Sequence, residues 1–66
     1  MDRKQLEYFI TVYDLRSMQA AADKLYVSRQ GVSKMINQLE KELGHRLFLR
    51  TPKGLEPTDY AITLHP

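Results

Sequence analysis

From residue 3 to residue 43 the apolar positions of this chain recur with helical period; beyond that the pattern changes. Leu6, Phe9, Ile10 and Tyr13 fall at i, i+3, i+4 and i+7, which predicts a helix from Arg3 to Leu15 with this stripe turned inward. Asp2 stands before it as N-cap, and Gln5 completes a capping box. Met1 and Leu6 hold the two positions of a hydrophobic staple. Arg16-Ser17 interrupts the pattern. Ser17 is placed to cap a short second helix, Met18 to Leu25, with Met18, Ala21, Ala22 and Leu25 inward. Ala21 and Ala22 matter for their smallness, because another helix can cross close above them. Tyr26-Val27-Ser28 leaves room for a tight turn alone. The stretch Ser28 to Leu43 then separates into two faces: Val32, Ile36, Leu39 and Leu43 on one, and Gln30, Lys34, Asn37, Gln38 and Lys41 opposite. Ser28 caps this third helix, with Val27 and Val32 as a second staple. Two helices joined by a short turn over small side chains form a helix-turn-helix, residues 18–37.

Gly44 marks the stop of the third helix. Leu47-Phe48-Leu49-Arg50 then reads as a short apolar strand, Thr51-Pro52-Lys53-Gly54 as a turn, and Leu55-Glu56-Pro57 as the returning strand. Thr58 caps a fourth helix with Asp59 at its positive end, Tyr60, Ala61 and Leu64 continuing it and Pro66 ending it. The expected fold is mainly α: a winged helix-turn-helix with a three-helix core, a β-hairpin wing over 47–57 and the start of a fourth helix.

Composition narrows what such a fold can do. Sixty-six residues make one domain with a small core, burying about 60% of its extended surface. A deep substrate pocket does not fit beside it. The net charge is only +2, yet residues 24–53 carry Lys24, Arg29, Lys34, Lys41, Arg46, Arg50 and Lys53 against Glu40 and Glu42, a local balance of +5. The polar face of the third helix holds amides and amines and no carboxylate; Glu40 and Glu42 lie on its flanks. An acid-free hydrogen-bonding face within a basic segment suits a nucleic acid, although an ordinary solvated face has the same pattern. A lipid surface would require a wider apolar face with aromatics. Apolar runs stop at three residues, as in Leu47-Phe48-Leu49, too short for a membrane span, and an intracellular, cytoplasmic protein is expected. There is no cysteine, and His45 and His65 stand 20 residues apart with no nucleophile–base set around them. No enzyme activity, metal or cofactor is expected.

The ordered set Leu6-Glu7-Tyr8-Phe9, Ser17 followed by Ala21-Ala22 and Leu25, Val27-Ser28, Val32-Ser33 with Ile36 and Leu39-Glu40, Leu43-Gly44, Leu47-Phe48 with Arg50, and Pro57-Thr58 resembles the N-terminal domain of LysR-type transcriptional regulators. The likeness runs through essentially the whole chain. It implies sequence-specific binding of double-stranded DNA, with the third helix in the major groove and the wing along the backbone or minor groove. It also implies a bacterial regulator of about 300 residues, homo-oligomeric through a long linker helix, with a small-molecule effector domain beyond the present chain. On that resemblance residues 1–58 are the DNA-binding domain and 59–66 the truncated start of the linker helix. An excised, monomeric domain addressing half of a dyad-symmetric operator is the expectation. Departures from the family pattern gather in the first turns of the second and third helices. Met18-Gln19 replace an aromatic and a small polar residue, Arg29 replaces a frequent Gln, and Gln30-Gly31 stand where Pro or Ser and Ala or Thr are usual. They bear on target sequence rather than fold. Ala61 replaces a frequent Gly, and Pro66 falls where the linker helix would continue.

Arg29, Gln30, Ser33 and Lys34 are the candidate base-contacting residues, matching the family's contact positions. Gln30 suits adenine, whereas Arg29 and Lys34 suit either guanine or phosphate. Ser17, Ser28, Arg50, Thr51 and Lys53 are the candidate backbone contacts. Ser28 serves as a cap in either case, a solvated turn residue is an equal reading of Lys53, and Met35 sits at the edge of the apolar stripe. The alternative to DNA reading is a winged helix whose basic face meets an acidic protein.

Overall fold

The computed structural model describes residues 1–65. Four helices and a hairpin follow in the order α1 (Arg3–Leu15), α2 (Met18–Leu25), α3 (Arg29–Leu43), β1 (Phe48–Thr51), β2 (Gly54–Pro57) and α4 (Asp59–Leu64). Pro66, expected to end the last helix, lies outside the described residues.

Each helix begins where its cap residue predicts. Asp2 accepts the Gln5 N–H at 2.8 Å, and the Gln5 side chain accepts the Asp2 N–H at 3.0 Å, so the capping box is complete. Ser17, Ser28 and Thr58 accept from the amides of Ala20, Gly31 and Ala61 at 3.1, 3.0 and 3.2 Å. Such caps each stabilise a helix by about 1 kcal/mol. At the other ends α1, α2 and α3 close on left-handed residues, Arg16, Tyr26 and Gly44. Tyr26 is 94% exposed in the turn of the helix-turn-helix.

Burial corrects the expected face of α1. Leu6 is exposed, whereas Gln5, Tyr8, Phe9 and Val12 are buried and Ile10 and Tyr13 only flank the core. Both stripes have helical spacing and share Phe9. The apolar arc of α1 is wider than one stripe, and packing against both α2 and α3 centres it on Phe9 and Val12. Gln5 is tolerated inside because its amide reaches both carboxylate oxygens of Glu42 on α3 at 3.4 Å. The other inward residues behave as their spacing predicts. Ala21, Ala22, Val32, Ile36 and Leu39 are fully or almost fully buried, and Met18, Leu25, Met35 and Leu43 pack around them.

The wing is an antiparallel pair in the register Phe48↔Pro57, Leu49↔Glu56, Arg50↔Leu55 and Thr51↔Gly54, leaving Pro52-Lys53 as its turn. It differs from the expectation at both ends. Thr51 and Gly54 form the last rung instead of belonging to the turn, because the Thr51 hydroxyl donates to the Gly54 carbonyl and accepts the Lys53 amide. Gly54 has φ of 117°, a conformation side chains with a Cβ rarely adopt. Leu47 stands outside the ladder as a fully buried anchor. Its N–H goes to the Glu40 carboxylate at 2.7 Å and its carbonyl takes the Thr58 N–H at 2.9 Å. Glu40 also accepts the Phe48 N–H at 3.3 Å and lies 3.5 Å from Arg46 Nε.

The start of α4 is tied down by Thr58, whose hydroxyl donates to the Arg46 carbonyl at 2.7 Å, and by His45 stacking on Tyr60 at 4.2 Å. Ala61 is buried in the common core. At its end His65 is extended, as a residue preceding proline should be, and packs on Tyr13 at 4.4 Å with Nε2 3.4 Å from Asp14.

Truncating Glu40 strands the amide of a buried residue. Glu40→Ala is expected to cost about 2 kcal/mol, the usual penalty for a buried donor left without an acceptor. Glu40→Gln, which keeps one acceptor oxygen, should lose less. Urea unfolding followed by circular dichroism tests this, and equal midpoints for wild type and Glu40→Ala would refute it.

Candidate nucleic-acid interface

One side of the molecule collects side chains that the core does not use. Arg29, Gln30 and Lys34 are exposed and Ser33 is half-buried on the outward face of α3, and with Asn37 they line one shallow depression. All four candidate base-contacting residues are thereby brought together. Asn37 joins them because it lies four residues after Ser33, a spacing visible on the helical wheel.

A second depression opens where the beginning of α2, the beginning of α3 and the wing converge. Ser17, Arg29 and Arg50 line it together with Arg16 and Gln19. Ser33 and Arg50 also share a recess between α3 and the wing. Three of the residues expected at the sugar–phosphate backbone or the bases thus meet across elements far apart in sequence. Ser28, Thr51 and Lys53 line neither depression. Ser28 sits at the α3 cap, and Lys53 is exposed at the tip of the wing. Thr51 is held at its base by the two hydrogen bonds that close the turn.

The caps leave these hydroxyls partly free. Ser17 and Ser28 use a lone pair to accept a backbone N–H, and the O–H proton is not consumed by that bond. Gly31 sharpens the geometry at Ser28: a Cβ there would stand 3.2 Å from the Ser28 Oγ. The absence of that carbon leaves the cap hydroxyl uncrowded in the first turn of α3.

Charge is divided between inside and outside. Among the described residues Arg46 is committed to Glu40 and to the Phe48 carbonyl at 3.2 Å, whereas Arg29, Lys34, Arg50 and Lys53 make no ion pair. Lys41, on the polar face of the helical wheel, lines a further patch on α3 with Lys34, Asn37 and Gln38. The sequence does not single out Arg16 as a site residue, and Gln19 stands out there only as a departure from the family pattern. The available signal was position alone, since both lie within two residues of the Ser17 cap. Among the described residues no helix is long and apolar enough to cross a membrane, and no group of three or more His, Asp or Glu is placed to hold a metal ion.

Comparison with known proteins places this geometry in a family. The model of the bacterial regulatory helix-turn-helix protein, lysR family, matches residues 3–62. The virulence genes transcriptional activator of Salmonella typhimurium is 40% identical over 62 residues, covering 94% of this chain and 21% of that protein. The nitrogen assimilation regulatory protein nac of Escherichia coli is 36% identical over 59 residues, 89% of this chain and 19% of its own length. The chain therefore spans about a fifth of the length of these relatives. Among solved structures, the CbnR_DBD-DNA complex superimposes with a TM-score of 0.90 at 36% identity, covering 97% of this chain and 74% of that one. The BenM_DBD/benA site 1 DNA complex gives 0.92 at 32% identity, covering 98% and 73%. With the two-stranded wing following the helix-turn-helix in the same order, the chain is a winged helix-turn-helix domain belonging to the lysR family of bacterial regulatory proteins.

Proposed function

We propose that this domain binds duplex DNA in a sequence-specific manner, with α3 in the major groove and the wing against the backbone. One observation carries the reading: Arg29, Gln30, Ser33 and Lys34 share one exposed, carboxylate-free depression on α3, and Arg50 of the wing borders the adjoining one. A major groove about 12 Å wide admits a helix, and each base pair shows there a distinct set of donors and acceptors. Gln30 pairs bidentately with adenine, Ser33 hydrogen-bonds a base edge, and Lys34 addresses guanine or a phosphate. Ser17, Ser28, Arg50, Thr51 and Lys53 hold the backbone. These contacts position the helix, and the base contacts select the site. Binding proceeds without chemistry.

The relatives are about five times longer, so the parent of this domain is read as a cytoplasmic regulator with a small-molecule effector domain, assembled as a homo-oligomer on a dyad-symmetric operator. Residues 1–58 form the DNA-binding unit in this reading, and α4 begins the linker. The isolated domain is a monomer of weak affinity.

Substitution separates reading from holding. Gln30→Ala should weaken binding to the operator by about 1–3 kcal/mol while leaving random duplex unaffected. Equal losses on both, measured by fluorescence anisotropy, would remove Gln30 from base readout. Lys53→Ala should instead weaken binding on every sequence and reduce the slope of log Kobs against log salt by about 0.9. An unchanged slope would take Lys53 off the DNA. Two copies of the domain joined by a linker that spans adjacent half-sites should bind about 10² to 10⁴ times more tightly than one. Sedimentation of the single domain should show a monomer without DNA; a stable dimer there would contradict the monomeric reading. Absence of salt-dependent binding to any duplex would overturn the function itself.

A further inference from the structure

Among the described residues two that are not glycine adopt the left-handed conformation, Arg16 at φ 56° and Tyr26 at φ 58°. Residues with a Cβ are disfavoured there, and glycine would adopt it freely. Arg16 therefore holds a position for which its backbone is ill suited, and its side chain is held in turn. Its Nε–H donates to the Tyr13 carbonyl at 2.8 Å, and its guanidinium lies 5.2 Å from the Tyr13 ring centre. Arg16 also lines the depression at the head of α2 together with Ser17, Arg29 and Arg50.

Three arginines from three parts of the fold line this one depression. Among the described residues none of the three is ion-paired, and no carboxylate lines the space. Like charges gathered without a counter-charge repel one another until an anion arrives, and guanidinium is suited to fork onto phosphate oxygens. The Ser17 cap brings the first amides of α2, a helix of eight residues, to the same place.

We propose that Arg16 contacts phosphate, completing with Arg29 and Arg50 a cradle for one phosphodiester of the DNA backbone at the junction of α2, α3 and the wing. The inference rests on the DNA-binding reading above and deepens it. It assigns Arg29 to the backbone rather than to guanine and leaves the base edges to Gln30, Ser33 and Lys34.

The test is a salt titration of binding to a random-sequence duplex by the 66-residue domain and two variants. Arg16→Gly removes the guanidinium while giving the backbone the residue it favours, so its unfolding midpoint should not fall. Its affinity should drop, and its slope should flatten by about 0.9, which makes the change in affinity between 50 and 200 mM salt smaller by about 3.5-fold. Lys4→Ala removes one positive charge about 18 Å away along α1 and should leave the slope unchanged. An unchanged slope for Arg16→Gly in a domain whose wild type binds would overturn the cradle and spare the DNA-binding reading. Equal flattening by Lys4→Ala would also overturn it, reducing Arg16 to a part of the general positive field. Failure of the wild type to bind any duplex would remove both.

Discussion

The closeness with which α2 can cross α3 sets everything outward of the core. Ala21 and Ala22 of α2 are completely buried in the core they share with Val32 and Ile36 of α3, and they carry nothing beyond a Cβ into it. Helices packed through small side chains sit at the near end of the usual 8–10 Å separation. A larger residue would lift α3 and carry its first turn, and with it Arg29 and Gln30, away from Ser17 and the wing. Overpacking of this kind costs about 1–3 kcal/mol. A domain of this size holds roughly 3–10 kcal/mol in all. The reading face is therefore only as well placed as two methyl groups allow.

The acids of α3 explain how a chain of small net charge presents a cationic surface. Glu40 and Glu42 are turned toward the rest of the fold, one to the amides of Leu47 and Phe48 and to Arg46, the other to the Gln5 amide of α1. Both carboxylates act as connectors between elements. What remains on the outer face is neutral amide and unpaired cation, so the field there is stronger than the overall balance of +2 suggests.

Features governed by neighbours in sequence were legible before the structure. Asp2, Ser17, Ser28 and Thr58 each cap a helix through an amide three residues on, and that spacing is written in the chain. The bounds of α1 and α2 and the existence of the hairpin follow from periodicity and turn chemistry. Contacts between distant residues were not legible. The rotation of α1 depends on two partners packing on it at once, and Gln5 looks like a solvated cap residue until Glu42 is beside it. Glu40 appeared as a flank charge because its donors lie seven and eight residues further on, beyond the helix stop. The four candidate base-contacting residues can be grouped from the sequence because they belong to one helix. Arg16 cannot, because its place beside Arg29 and Arg50 arises only when α2 and the wing close over α3.

The Glu40 carboxylate also has a mechanical consequence. By bonding the amides of Leu47 and of Phe48, the first residue of the hairpin, from within α3, it couples the wing to α3 and shortens any hinge between them to Gly44-His45-Arg46. In the proposed mode of binding, the spacing between the helix in the groove and the wing at its flank would be a property of the protein, and the duplex would adjust its own shape to meet both. Flexible pyrimidine–purine steps adjust easily and stiff tracts do not. Base pairs that no side chain touches would in this way still contribute to the choice of site, through the energy needed to bend or twist them.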